Sequence, residues 1–209
     1  DDTNGMSRHL VDWYLHPTED LAFCFWNPIL SRINRSTNKN VFLLTLDEST
    51  IPTQQQLDDL SALENVVMIG YPNGMYDMKN NLPLFRNGST SSHPAFDFNG
   101  KKHALVDMAC IPGSSGSPVF ILNEGLYSTK NGSTVIGNRL FFLGIENMSP
   151  IQSSPVYEKV MVSGKSVIQK SQTMYVKNFI NLGYYIKSSE MSALKTIVQS
   201  LLPPSDILK

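Results

Sequence analysis

An all-β fold ending in one α-helix is predicted by three features of this 209-residue sequence. Short apolar runs recur between turn signals at Asn73-Gly74, Asn87-Gly88, Asn99-Gly100 and Asn131-Gly132. Half-buried strands of a barrel or sandwich leave this pattern, since each is short and each reversal needs a residue tolerant of positive φ. Helical periodicity is confined to the end of the chain. Hydrophobic residues make up 41%, enough at this length to bury a sizeable core.

Taken in order, strands are expected at Leu21–Trp26 and Asn40–Thr45. The polar stretch Pro52–Leu63, with Gln54-Gln55-Gln56-Leu57-Asp58-Asp59-Leu60 inside it, reads as a linker with one helical turn. Further strands are expected at Asn65–Gly70, Pro83–Asn87, Ala104–Ala109, Pro118–Leu122, Arg139–Glu146 and Thr173–Phe179. Ser188-Ser189-Glu190 followed by Met191, Leu194, Ile197, Val198 and Leu201 gives an N-cap and an apolar stripe, which Pro203-Pro204 ends. The expected division is 1–52, a linker over 53–63, a β unit over 64–187 and a helix over 188–202.

Charge and composition narrow the function. A net charge of −1 offers no electrostatic footprint for nucleic acid or an anionic membrane. No apolar run reaches the roughly 18 residues that span a bilayer, and no signal peptide opens the chain. Cys24 and Cys110 each sit in an apolar run, so free thiols and a reducing, cytoplasmic setting are expected. Asn34, Asn87 and Asn131 head glycosylation-type triplets, which arise by chance in a chain rich in Asn and Ser. Two cysteines and scattered histidines make no zinc spacing, and no glycine-rich loop opens a helix. Neither a metal nor a cofactor is expected.

Residues 112–118 read Pro-Gly-Ser-Ser-Gly-Ser-Pro between Val106–Ile111 and Val119–Leu122. A serine that attacks a carbonyl needs an exposed Oγ, backbone N–H groups aimed at the developing oxyanion and little bulk nearby. Gly113 and Gly116 around Ser115 supply the small residues and the unusual dihedrals. A Gly-x-Ser-x-Gly elbow is excluded, because its last position is Ser117 and a strand-like run follows Pro118 rather than a helix.

The stretch resembles the nucleophile loop of chymotrypsin-like (trypsin-fold) serine peptidases, in which Gly-x-Ser-Gly-x-Pro leads into a core strand. Two other segments share the likeness. Trp13–Phe23 contains Asp20-Leu21-Ala22, similar to the tripeptide that carries the triad aspartate in that family. Glu64–Gly74 resembles the first strand of the second barrel in its bacterial members, with Arg86–Thr90 as the next hairpin and Phe142–Glu146 as the strand edging the cleft. The likeness spans roughly residues 13–186. It implies a trypsin-like double β-barrel whose first barrel is incomplete in residues 1–52, with a C-terminal α-helix. It further implies a serine endopeptidase acting on a peptide or protein substrate. Ser115 is then the nucleophile, Asp20 orients a histidine, and the N–H groups of Gly113 and Ser115 form the oxyanion hole. Ala109, Asn147 and Met148 are expected to line the substrate pocket. With Ala109 at the pocket base, the resemblance gives no reason to expect a Lys/Arg preference. Ser114 stands where many secreted members carry an aspartate that pairs with a freshly cut N-terminus, so that mode of activation is not expected.

The family's order is His, Asp, Ser, with at least a hairpin between the first two. His9 stands eleven positions before Asp20, His16 only four, and His93 and His103 follow it. A hairpin of strands about 5–6 residues long needs more room, so the histidine is expected upstream of Asp1, making the chain a fragment. The alternative is a catalytically inactive trypsin-fold module that binds peptides or proteins.

Overall fold

A computed structural model of the chain describes residues 12–37, 41, 43–163 and 165–201. It divides into two units, Ser49–Ser189 and one made from Asp1–Glu48 with Glu190–Lys209. In the latter, β1 (Tyr14–Leu15) pairs antiparallel with β2 (Ala22–Phe23), Tyr14 opposite Phe23. The strand expected over Leu21–Trp26 is thus cut to two residues, and Trp26 instead opens α1 (Trp26–Thr37). Pro28 explains the switch: it has no N–H for a sheet ladder, yet the first helical turn has no use for that donor. Tyr14 stacks on Phe23 at 5.1 Å and meets Phe25 edge-on at 5.6 Å, so the apolar run is absorbed by aromatic packing. Of the strand expected over Asn40–Thr45, Asn40 and Phe42 lie outside the described residues, while Val41 and Leu43–Thr45 adopt no strand. The double barrel implied by the resemblance is therefore one closed barrel among the described residues, with a ribbon and a helix where more strands were expected.

The second unit begins with α2 (Gln54–Asp58), started by a capping box in which Thr53 and Gln56 each accept the other's backbone N–H. The helical turn falls where it was expected, but this stretch is more than a linker. Leu57 in the helix and Leu60, two residues past its end, enter the core with Val66, Met68, Val106, Val119, Ile121 and Tyr185.

The strands that follow are β3 (Asn65–Gly70), β4 (Leu84–Thr90), β5 (His103–Asp107), β6 (Pro118–Asn123), β7 (Leu126–Ser128), β8 (Thr134–Ile136), β9 (Arg139–Met148), β10 (Ile151–Val162), β11 (Lys165–Phe179) and β12 (Leu182–Lys187). Six of them close an antiparallel barrel in the order β12-β5-β4-β3-β6-β9. Closure leaves the barrel itself without an open edge strand. β7 and β8 pair only with each other, as do β10 and β11. The strand expected at Thr173–Phe179 is the second half of β11, in a long hairpin bulged between Pro155 and Tyr157.

Two ion pairs tie the barrel's connections to its wall. Arg139 on β9 meets Glu64 at 2.6 Å, both buried, and its guanidinium lies 4.5 Å from the Tyr127 ring centroid. Lys187 on β12 reaches Asp97 at 3.0 Å. The C-terminal helix, α3 (Met191–Leu201), follows a short 3-10 turn at Ser188–Glu190. Residue 202, the end of the expected helix, lies outside the described residues.

Candidate active site

The β5–β6 connection carries Ser115, and its shape follows from two glycines. Gly113 and Gly116 sit at φ +84° and +89°, a region that costs other L-residues on the order of 1–2 kcal/mol. Within the turn, the Ser114 amide donates to Ile111 O at 3.0 Å and the Ser117 amide to Ser114 O at 2.9 Å. The turn is then clamped to its neighbours. Gly116 N–H donates to Glu146 O at 2.7 Å, Glu146 N–H to Ser117 O at 2.9 Å, and Asn73 N–H to Pro112 O at 2.8 Å. After these bonds are assigned, two amides of the turn have no acceptor among the described residues: Gly113 and Ser115. Both residues are exposed. Donors fixed in place but unused are what a developing negative charge requires.

Beneath the turn runs a side chain that the sequence reading did not single out. Arg86 projects from β4 and donates through Nη1 to Ala109 O at 2.6 Å and to Ser114 Oγ at 3.0 Å. Ser114 is fully buried, and its Oγ also accepts from Ile111 N–H at 3.3 Å. The hydroxyl thereby links the guanidinium to the turn. The signal was available: an arginine in the middle of a strand needs acceptors on the barrel wall.

The Ser115 hydroxyl donates to Asn147 O at 3.2 Å. Next to Asn147, the Glu146 side chain is buried, and this burial pushes its carboxyl above the usual range; the Ser149 and Ser115 hydroxyls partly offset the rise. Burial and the Glu146 carboxylate together push the Cys110 thiol up to about 12. Cys110 therefore stays a neutral thiol, poor as a nucleophile. Both Cys110 and Cys24 are free. Ala109, expected at the pocket base, is exposed and gives its carbonyl to Arg86, and Met148 is exposed beside Asn147.

Asp20 belongs to the other unit, in the β1–β2 loop, and its side chain is exposed. His16 staples this loop: its Nδ1 accepts from the amides of Thr18 at 3.3 Å and Glu19 at 3.0 Å, while its own amide donates to Leu21 O at 2.8 Å. An accepting Nδ1 assigns the proton of the neutral ring to Nε2, which lies 3.6 Å from Glu190 Oε2. His93 accepts the Ala95 amide through Nδ1 in the loop after β4, and His103 opens β5. His9 lies outside the described residues.

No metal-binding group of His, Cys, Asp or Glu occurs among the described residues, and no described helix is long and apolar enough to cross a membrane. No protein-family model, curated protein or solved structure matches the chain. Fold and site together define an antiparallel six-stranded barrel bearing an exposed serine on a rigid turn.

Proposed function

We propose that this chain is the nucleophile-bearing part of a serine endopeptidase of the chymotrypsin-like class. The observation that carries the reading is the pair of unused amides at Gly113 and Ser115 beside an exposed Ser115 hydroxyl, in a turn whose other described donors are engaged. In the reaction, Ser115 Oγ bonds to the scissile carbonyl carbon as its proton passes to an imidazole. The oxyanion rests on the two amides, and the leaving amine takes the proton as the acyl-enzyme forms. Water then attacks the ester, giving its proton to the imidazole and releasing the acid and free Ser115. The resemblance gives Asp20 the role of holding that imidazole in the correct tautomer. Ser114, held by Arg86 rather than by a cleaved N-terminus, keeps the turn in shape without proteolytic activation.

Fluorophosphonate labelling of Ser115 tests the reading. An N-terminally extended protein should label strongly and the present chain not at all. Labelling of the present chain that vanishes in His9→Ala makes His9 the base instead. If neither protein labels, the hydrolase reading fails.

One observation favours a second reading, a non-catalytic module binding peptides or proteins in the same cleft. The Ser115 hydroxyl directs its proton to a main-chain carbonyl, that of Asn147, a partner that holds a serine without activating it.

A further inference from the structure

Strands β6 and β9 pair Pro118 with Ile145 next to the serine turn and Asn123 with Arg139 at their far end. At that far end a recess of about 400 Å³ lies between the connection into β3 and the β7–β8 hairpin. Lys130 Nζ donates to Asp58 O at 2.8 Å and ties the hairpin to the end of α2. Glu64 and Arg139 form the buried side of the recess, at 7% and 8% exposed.

The Arg139 guanidinium is held on several sides. Nη2 donates to Glu64 Oε2 at 2.6 Å and Nε to Asn123 Oδ1 at 2.8 Å, with the Tyr127 and Phe141 ring centroids 4.5 and 5.7 Å away. Glu64 is fixed in turn: Ser61 N–H donates to its Oε1 at 2.9 Å, and its own amide donates to Thr90 Oγ1 at 2.9 Å. One arm is left over. Arg139 Nη1 makes no hydrogen bond among the described residues and, unlike Arg86 Nε, is not sealed from solvent. The same holds for Asn123 Nδ2, on the side chain that accepts from Nε. Two charges withdrawn this far from water add little to stability, since apolar residues of similar volume often do as well. A guanidinium pinned in place with one arm free is instead a pre-organised donor.

The free atoms define the ligand. Nη1 and Nδ2 only donate, so the ligand must present acceptor oxygens. Hydrogen bonds from a guanidinium to a carboxylate are about twice as strong as those between neutral groups, which favours an anion over an amide or an alcohol. Glu64 limits that charge, because a dianion such as phosphate is repelled by its carboxylate twice as strongly as a monoanion. The exposed Leu63 and Leu126 in the lining offer apolar surface to the rest of the molecule, and the volume suits a small one.

We propose that this recess binds a small organic monocarboxylate, whose oxygens take the free arm of Arg139 and the amide of Asn123. The site lies away from the serine turn and does not rest on the hydrolase reading.

The test titrates the present chain with butyrate, a free acid, and N-acetylleucinate, which stands for the C-terminus of a peptide, against butyramide and inorganic phosphate. The assigned ring signals of Tyr127 in NMR report on the recess. Saturable binding of either carboxylate, about tenfold tighter (roughly 1.4 kcal/mol) than butyramide and tighter than phosphate, supports the proposal, and the better of the two identifies the source. Two isosteric variants should then move the affinity in opposite directions. Asn123→Asp still accepts from Nε but replaces the free donors with a negative oxygen, and should weaken binding about tenfold. Glu64→Gln removes the competing charge and should tighten it; if that variant does not fold, Asn123→Asp decides alone. Equal or tighter binding of butyramide or phosphate overturns the proposal. So does carboxylate binding that is unchanged in Asn123→Asp or weakened in a folded Glu64→Gln, or the lack of saturable binding to the wild type.

Discussion

A Cβ at Gly113 would lie 2.8 Å from Asn73 N and 3.2 Å from Tyr71 O, both backbone atoms. Substitution there meets a wall that cannot rotate away, besides a φ that L-residues resist. Gly113→Val should therefore abolish labelling in the extended protein and also lower Tm, since one lost oxyanion donor costs about 2.7–4 kcal/mol of transition-state stabilisation. Unchanged labelling in a folded variant would remove the oxyanion-hole assignment. Glu146 gives a pH signature at the same scale. Burial raises its folded pKa above the unfolded one, so both states are neutral in acid and the unfolded state ionises first as pH rises. Stability is lost from the ordinary carboxylate range upward through the folded pKa. Glu146 faces Arg86, Cys110 and Tyr185 from the strands and turn around it, and Arg86 pulls the other way. Glu146→Gln should match wild type near pH 4 and become the more stable protein as pH rises. A Tm gap that is flat with pH between about 4 and 8 would contradict this. The turn itself was legible in the sequence because Gly-x-Ser-Gly states its own dihedral demands. Arg86 and Glu146 were not, since a charge inside an apolar strand has a partner only once the barrel closes.

At the scale of elements, Leu57 and Leu60 decide what the stretch before β3 is. Read in isolation, three glutamines and two aspartates around them look like a solvated linker. In the fold the two leucines enter the core and Leu60 is almost fully enclosed. Leu60→Ala should cost about 2–5 kcal/mol by denaturant titration, whereas removing the cap with Thr53→Ala should cost about 1 kcal/mol. Similar small losses for both would return the stretch to linker status. Strands β3, β6 and β9 were readable from their apolar runs, to within a few residues at the ends. β12 was missed although it closes the barrel, because Gly183 and Lys187 interrupt its apolar pattern. The hairpin β10–β11 was half missed for a different reason: most of its residues are exposed, so no buried face imposes a clear alternation.

For the whole molecule, every member of the core cluster falls between Leu57 and Tyr185, inside the unit Ser49–Ser189. Residues 49–189 expressed alone should therefore fold cooperatively, with a β-type far-UV spectrum and a single thermal transition. A chain without dispersed amide NMR signals would show that the barrel needs the other unit. The β10–β11 hairpin pairs only with itself, so replacing residues 158–169 with an Asn-Gly turn between the paired Tyr157 and Lys170 should shift the barrel's Tm by only a few degrees.

The sequence by itself determined the all-β character, the C-terminal helix, the positions of most barrel strands and the serine turn. Each is written in local patterns: alternation, caps, and glycines that demand positive φ. Only the tertiary structure decided that one barrel closes, that Trp26 starts a helix, that Arg86 braces Ser114, and that Glu146 stands opposite Tyr185 between β9 and β12. These depend on which strands become neighbours, and that register is set by burying a shared core rather than by any short stretch of residues.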